Sequence, residues 1–157
     1  MKALILDLDG TLIDSSDGLT VGVNALLQEL GRPTLGRAQV EAMIGEGVGP
    51  LLQRAIDATG PSHDATAHHA RFRALYDPIA PRHSPPFPGI SALLARWAPR
   101  LPLVLCTNKP HAPAMAILDH HGWTDHFVAV LGGDSLPTRK PDPAMVLASA
   151  RAARVAP

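Results

Sequence analysis

Two aspartates, Asp7 and Asp9, stand at the end of an apolar run in the stretch LILDLDGTLIDS. Burying a carboxylate is costly unless a cation or hydrogen bonds compensate for the lost water, so this placement indicates chemistry rather than packing. Two acids can share Mg²⁺, which prefers oxygen ligands and often bridges to a substrate phosphate. The stretch therefore predicts a site for magnesium and phosphate, with compensating groups supplied elsewhere in the chain.

Polar residues follow two further apolar or loop segments. Thr107 and Asn108 come directly after LPLVLC, and Lys140 precedes Pro-Asp-Pro. A hydroxyl, an amide and an ammonium group can all hold phosphate oxygens. Ligands of open α/β sheets bind outside the carboxyl ends of the strands, so we expect these residues to lie near Asp7 and Asp9.

The elements that must position these residues alternate along the chain. A Leu- and Ile-rich run predicts a strand buried on both faces at Ala3–Leu8. LPLVLCTN predicts a second buried strand with a polar end, and Phe127–Leu131 predicts a third, short strand. Helical periodicity predicts helices between these strands, at about Ser16–Leu30, around Val40 to Ile44, through Leu51 to Ile56, at Ala65–Leu75, at Ile90–Trp97, at Ala112–His121 and from near Pro143. Asp142 is suited to cap the N-terminus of the last of these helices. This alternation predicts an α/β fold with a parallel sheet.

The helical block after the first strand has no strand of its own. Five prolines between Asp77 and Gly89 predict a connector that leads back to the sheet. We therefore expect a core domain formed by residues 1–15 and 87–157, with residues 16–86 inserted as a helical cap and connector.

Composition excludes several classes of protein. Lys+Arg and Asp+Glu number 14 each, so no basic excess indicates a nucleic-acid partner. The sequence contains no apolar run of 18 residues, which a membrane span would need, and the apolar stretch before Asp7 is too short for a signal peptide. Cys106 is the single cysteine, which excludes an internal disulfide and a cysteine-based zinc site. A cytoplasmic protein is the expectation, and no oligomeric state is predicted.

Taken together, DLDGT after an apolar strand, a strand ending in Thr-Asn and the later Lys-Pro-Asp-Pro resemble the haloacid dehalogenase superfamily of phosphatases. The longer string GGDSLPTRKPDP, with PFPG and IGEG, is similar to the phosphoglycolate phosphatase group of that superfamily. The resemblance implies a Rossmann-like core with an inserted all-helical cap. It also implies hydrolysis of a small phosphorylated metabolite, with 2-phosphoglycolate the leading substrate.

The resemblance further implies a role for each matching residue. Asp7 is expected to attack phosphorus and form an aspartyl-phosphate, and Asp9 to protonate the leaving group and then activate water. Lys140 is expected to neutralise charge on Asp7 and the phosphate, while Thr107 and Asn108 bind phosphoryl oxygens. Mg²⁺ is expected on the side chain of Asp7 and the backbone carbonyl of Asp9. The cap is expected to close over the substrate, with the turn around Gly45 lining the pocket.

One departure from the superfamily pattern concerns the C-terminus. Members carry a fourth element, a Gly-Asp pair with a further acid that completes the magnesium shell, whereas the last acid here is Asp142. The expectation is a core truncated at its C-terminus that binds Mg²⁺ poorly, either as a fragment of a longer enzyme or as an impaired relative.

Two alternatives to a phosphatase remain open at this point. One is a catalytically inactive relative that binds a phosphorylated metabolite without turnover. The other is a phospho-accepting signalling module of the response-regulator type, which also uses N-terminal acids, a hydroxyl and a lysine. That fold places its accepting aspartate after a middle strand, where this chain has Thr107-Asn108, and it carries no helical cap.

Overall fold

The structure, a computed structural model, describes residues 2–155. It divides into two compact units, here called the sheet unit (Met1–Asp14 with Pro85–Pro157) and the helical unit (Ser15–Ser84). In chain order the elements are β1 (Leu4–Leu6), α1 (Ser16–Glu29), α2 (Arg37–Glu41), α3 (Val48–Thr59), a 3₁₀ turn (Ala65–His68), α4 (His69–Tyr76), α5 (Ile90–Trp97), β2 (Leu103–Cys106), α6 (His111–His120), a second 3₁₀ turn (Thr124–His126), β3 (Ala129–Leu131) and α7 (Ala144–Ala152).

The sheet unit is built on a parallel three-stranded sheet in the order β1-β2-β3. Ile5 of β1 lies opposite Val104 of β2, and Leu105 of β2 lies opposite Val130 of β3. The central strand β2 is buried along its whole length, helix α7 contacts all three strands and α6 contacts β3. The predicted α/β fold with a parallel sheet is therefore confirmed, and the carboxyl ends of all three strands meet at one edge.

The outer strands differ from the prediction in length and burial. Strand β1 covers only Leu4–Leu6 of the predicted Ala3–Leu8, and its residues are partly exposed rather than buried on both faces. In the described residues β1 and β3 lie at the edges of the sheet, so neighbouring elements cover them less completely than they cover β2. Strand β3 likewise begins at Ala129, two residues later than predicted.

The helical unit contains helices and turns and has its own apolar core. Helix α1 contacts α2, α3 and α4. The approach of α1 to α4 is close because Gly22 carries no side chain: a Cβ there would lie 3.0 Å from the Cβ of Tyr76. Phe72 and Tyr76 of α4 stack with their ring centroids 5.4 Å apart, and Phe72 is fully buried.

Local sequence explains where α2 ends and where α7 begins. Met43 and Ile44 were expected in a helix, but α2 ends at Glu41 because the chain then turns through Gly45 (φ +130°) and Gly47 (φ +93°). The Asp142 carboxylate accepts the backbone N–H of Ala144 at 2.8 Å, so the predicted cap of α7 is present.

Two remaining expectations concern the membrane and the C-terminus. Among the helices that the structure describes, none has the length and apolar character needed to cross a membrane. The expected position of a further strand and acid, from about residue 156 onwards, lies outside the described residues.

Candidate active site

The two aspartates lie on a tight turn that follows β1. The carbonyl oxygen of Leu8 accepts backbone N–H groups from Thr11, Leu12 and Ile13 at 3.3, 2.9 and 3.2 Å. Gly10 has a φ of +72°, a conformation that glycine adopts without steric cost. Leu8 and Ile13 are fully buried. The apolar residues of this stretch therefore fix the turn to the core and hold Asp7 and Asp9 on either side of a buried leucine.

Asp7 pairs with Lys140, as the sequence suggested for these two residues. The Nζ of Lys140 lies 2.7 Å from Oδ2 of Asp7, and the two side chains are 25% and 39% exposed. The second oxygen of Asp7, Oδ1, accepts the backbone N–H of Leu8 at 2.8 Å. Both carboxylate oxygens are thus held, and the ammonium group supplies the positive charge that compensates the acid.

Asp9 pairs with a different lysine, to which the sequence analysis assigned no role. The Nζ of Lys109 lies 3.0 Å from Oδ1 of Asp9, and only 7% of the Lys109 side chain is exposed. Lysine is rare in this chain: the three lysines are Lys2, Lys109 and Lys140. The position of Lys109 directly after Thr107-Asn108 was the signal in the sequence that could have identified it as a site residue.

The side chain of Asn108 joins the two lysine segments. Its Nδ2 donates to the carbonyl of Lys140 at 3.1 Å, and the backbone N–H of Lys140 donates to its Oδ1 at 3.0 Å. This reciprocal pair ties the loop after β2 to the loop before α7. The position of the Lys140 backbone is therefore set by Asn108.

Thr107 is the buried hydroxyl of the site, with 1% of the residue exposed. Its backbone N–H donates to the carbonyl of Leu131 at 2.9 Å, which extends the pairing of β2 and β3 by one bond. Its Oγ1 accepts the backbone N–H of Lys109 at 3.1 Å. A hydroxyl that accepts one bond can still donate its own proton, which is the group that a phosphate oxygen requires.

Two glycines after β3 allow the loops to approach closely. A Cβ at Gly133 would lie 2.2 Å from the carbonyl oxygen of Asn108, and one at Gly132 would lie 2.3 Å from the backbone nitrogen of His111. Both distances are far below van der Waals contact with backbone atoms. The sequence Gly-Gly therefore permits a loop packing that no side chain could accommodate.

Gly45 lies in the helical unit, in the turn between α2 and α3. Arg54 of α3 holds this turn: its guanidinium pairs with the carboxylate of Glu46 and donates to the carbonyl of Met43 at 3.1 Å. The turn is therefore ordered by its own contacts. The predicted role of Gly45 in substrate binding remains a prediction.

Magnesium suits the donor set at the β1 turn, although that set is small. In residues 2–155 no group of three or more His, Cys, Asp or Glu side chains is arranged to hold a metal ion. The expected ligands are the carboxylate of Asp7 and the backbone carbonyl of Asp9, and Mg²⁺ is usually held by one or two carboxylates together with water and substrate phosphate. These oxygen ligands fit the metal in chemical type and form a partial site.

Shifted pKa values occur among exposed acids of the helical unit. Hydrogen bonds from Arg71 lower the pKa of Glu29. A hydrogen bond from Ser62 lowers the pKa of Asp57, and one from Thr66 lowers the pKa of Asp64. These carboxylates are held ionised by local partners, which indicates a structural role for each of them.

Comparison with known proteins identifies clear relatives. Residues 1–157 match the family model for haloacid dehalogenase-like hydrolases. A phosphoglycolate phosphatase of Rhodospirillum rubrum is 45% identical over 151 residues, which cover 91% of this chain and 63% of that protein. A phosphoglycolate phosphatase of Rhodobacter capsulatus is 37% identical over 159 residues, which cover 97% of this chain and 71% of that protein.

A solved structure is also similar. The crystal structure of a predicted phosphoglycolate phosphatase from Haemophilus somnus matches with a TM-score of 0.87 at 29% identity, over 99% of this chain and 72% of that one. The chain thus spans 63% of the length of one curated relative and 71% of another. A family match along the whole chain favours a hydrolase over the phospho-accepting signalling module.

Proposed function

The chain belongs to the haloacid dehalogenase-like hydrolase family, and we propose that it forms the catalytic part of a Mg²⁺-dependent phosphatase for small phosphate monoesters. The observation that carries the proposal is the pair of carboxylates after β1, each matched to its own lysine. The proposed substrate is 2-phosphoglycolate, which hydrolysis would convert to glycolate and inorganic phosphate; relatives named phosphoglycolate phosphatase support this choice.

Asp7 is the proposed nucleophile. One oxygen of its carboxylate forms a bond to phosphorus while the bond from phosphorus to the ester oxygen breaks, which gives an aspartyl-phosphate and splits one difficult hydrolysis into two easier steps. The fixed orientation of this carboxylate, held by the Leu8 N–H and by Lys140, supports this assignment. The ammonium group of Lys140 also offsets the charge that builds up when a phosphate dianion approaches a carboxylate.

Asp9 is the proposed acid and base. It gives a proton to the departing ester oxygen in the first step. In the second step it takes a proton from water as that water attacks phosphorus, which releases inorganic phosphate and restores Asp7. A carboxylate next to the nucleophile and anchored to the same turn is suited to both transfers.

The loop after β2 is proposed to bind the phosphoryl oxygens. Thr107 would donate its hydroxyl proton to one oxygen, and Asn108 is the second predicted ligand. The carboxamide of Asn108 bonds to both the backbone N–H and the backbone carbonyl of Lys140. We therefore propose that Asn108 also positions Lys140 against the phosphate.

Asp7 and Asp9 are the residues that would hold Mg²⁺. When bound, this ion supplies positive charge that stabilises the phosphoryl group in the transition state. Because this donor set consists of the Asp7 carboxylate and the Asp9 backbone carbonyl, phosphate oxygens would contribute to metal binding, and the ion and the substrate would bind cooperatively.

The helical unit is proposed to select the substrate. A substitution at Gly45, where φ is +130°, strains the turn whatever side chain is introduced. Gly45→Ala is therefore expected to raise KM for 2-phosphoglycolate while leaving hydrolysis of p-nitrophenyl phosphate nearly unchanged. Equal effects on the two esters would show that Gly45 has no part in selectivity.

A second candidate function is binding of a phosphorylated metabolite without turnover. It is favoured by one observation, the lack of a three-acid cluster within residues 2–155. Phosphate release from a panel of small esters, measured with and without Mg²⁺, separates the two functions. Purified Asp7→Asn protein is the control, because the amide is nearly isosteric and cannot attack phosphorus. Tight binding of 2-phosphoglycolate with no phosphate release above this control would establish the binding function.

A further inference from the structure

Lys109 is an unusual lysine in this chain because its charge is largely withdrawn from water. Its side chain is 7% exposed, compared with 25% for Lys140. Burying an ammonium group without a counter-charge is strongly unfavourable, and the counter-charge here is the Asp9 carboxylate, whose Oδ1 lies 3.0 Å from Nζ. The contact joins residues 100 positions apart in the chain.

The backbone of Lys109 is fixed on both sides. Its N–H donates to Oγ1 of Thr107 at 3.1 Å, and its carbonyl accepts the N–H of Gly133 at 2.9 Å. The neighbouring carbonyl of Asn108 packs so closely on Gly133 that no Cβ fits there. Lys109 therefore approaches Asp9 from a loop that backbone hydrogen bonds and close packing hold in place.

Lys109 and Lys140 each pair with a different aspartate, so each lysine acts on a different step of the proposed reaction. Lys140 contacts Oδ2 of Asp7, the proposed nucleophile, whereas Lys109 contacts Oδ1 of Asp9, the proposed acid and base. We infer that Lys109 is a positioning residue that holds Oδ1 of Asp9 and so leaves Oδ2 as the oxygen that exchanges the proton. The catalytic part of this inference rests on the proposed function.

The proton follows a simple path under this assignment. The proton on Oδ2 of Asp9 passes to the ester oxygen as that oxygen leaves phosphorus, and the same Oδ2 then accepts a proton from the attacking water. Lys109 keeps all of its protons throughout and makes no contact with the substrate. Without the ammonium group of Lys109, the Asp9 carboxylate loses the contact that sets its rotation, so attack on an ester whose leaving group needs a proton slows. Attack by Asp7 on an ester whose leaving group needs no proton does not slow.

The pairing can be tested without any catalytic activity. Protein labelled with [¹³C]lysine gives Cε signals from only three lysines, Lys2, Lys109 and Lys140, and a Lys109→Met sample assigns the signal of Lys109. We expect Asp9→Asn to move the Lys109 signal and Asp7→Asn to move the Lys140 signal. If Asp9→Asn leaves the Lys109 signal in place, the pairing does not exist in solution and the inference is wrong.

The positioning role is tested with two esters that differ in their need for a proton. The leaving group of 2-phosphoglycolate is a basic alkoxide, whereas p-nitrophenolate leaves without protonation. We expect Lys109→Met to lower kcat/KM for 2-phosphoglycolate by about 10²-fold, at the low end of what an acid catalyst contributes, and kcat/KM for p-nitrophenyl phosphate by less than about 10-fold. Lys109→Arg, which keeps the charge, should recover part of the loss.

Controls separate the possible failures. Lys2→Met makes the same change at an exposed lysine that precedes β1 and should leave both esters unaffected. Equal losses on the two esters in Lys109→Met would indicate general damage to the site and would overturn the positioning role. If the wild-type protein hydrolyses neither ester, the proposed function fails, and the lysine spectra alone decide whether Lys109 holds Asp9.

Discussion

Replacing Gly133 with alanine is expected to damage the site by moving the loop after β2. The new Cβ would lie 2.2 Å from the carbonyl oxygen of Asn108, and real Cβ contacts essentially never fall below 3.0 Å, so the backbone must retreat by about 0.8 Å. This backbone carries the Thr107 hydroxyl, the Asn108 carboxamide and the Lys109 ammonium group. Any retreat therefore displaces three groups of the proposed site together.

The expected losses of stability and of hydrolysis rate in Gly133→Ala follow from the size of this displacement. Overpacking of this kind typically costs about 1–3 kcal/mol of stability, and a misplacement of about 1 Å can cost about 10²-fold in rate. We therefore expect the free energy of unfolding of Gly133→Ala to fall by about 1–3 kcal/mol, with hydrolysis of 2-phosphoglycolate lowered by about 10²-fold. Urea denaturation and phosphate release at several substrate concentrations measure the two effects.

Gly49→Ala is the matched control. Gly49 lies in α3, where a new Cβ would meet His69 at 3.4 Å, an ordinary contact. Gly49 is the second residue of α3, where the preference for alanine found in the middle of a helix applies only weakly, so this variant should be about as stable as wild type. If Gly133→Ala matched Gly49→Ala in both stability and activity, the close packing of the loops would not determine the geometry of the site.

Four further predictions concern other parts of the account. Asp9→Asn should slow hydrolysis of alkyl phosphates by about 10²–10⁴-fold, and wild-type rates in this variant would exclude Asp9 as the acid. Asn108→Ala removes two hydrogen bonds to the backbone of Lys140, each worth about 0.5–1.5 kcal/mol, so urea denaturation should show a loss of about 1–3 kcal/mol; an unchanged midpoint would contradict this. Calorimetric titration should show that Mg²⁺ binds weakly alone and more tightly with inorganic phosphate present, and equal affinities would show that phosphate does not complete the metal site. Hydrogen bonds from Arg71 hold the folded-state pKa of Glu29 below 4.5, its ordinary value. The pair therefore stabilises the fold above that pH, and this stabilisation is lost as the pH falls through the folded-state pKa. Glu29→Gln should accordingly lower Tm at neutral pH but not in acid.

The sequence predicted the elements well wherever local pattern decides structure. Helix α5 lies at the predicted Ile90–Trp97, and Asp142 caps α7 as its position suggested. The helix predicted through Met43 and Ile44 failed, because apolar spacing suggested a helix where the glycines of the following turn require a backbone with positive φ.

The site was predictable only in part because its contacts are long-range. The spacing of Asp7 and Asp9 after an apolar run is visible in the sequence, and so is the need of these partly buried acids for a compensating positive charge. Which lysine meets which acid is not visible, because Lys109 and Asp9 are 100 residues apart. The bonds between Asn108 and Lys140 span 32 residues and depend equally on the packing of two loops.

The central claim is that Asp7 accepts the phosphoryl group from a small ester, and trapping that group tests it most directly. Protein mixed with 2-phosphoglycolate and Mg²⁺ is quenched in acid, digested, and examined by mass spectrometry for a hydroxylamine-sensitive phosphoryl group. We predict that this group lies on Asp7 of the wild-type protein and that Asp7→Asn shows neither the group nor turnover. In Asp9→Asn the group should accumulate when p-nitrophenyl phosphate replaces 2-phosphoglycolate, because p-nitrophenolate leaves without an acid whereas hydrolysis of the aspartyl-phosphate still needs the base. Steady turnover in Asp7→Asn, or a phosphoryl group on another residue, would contradict the account.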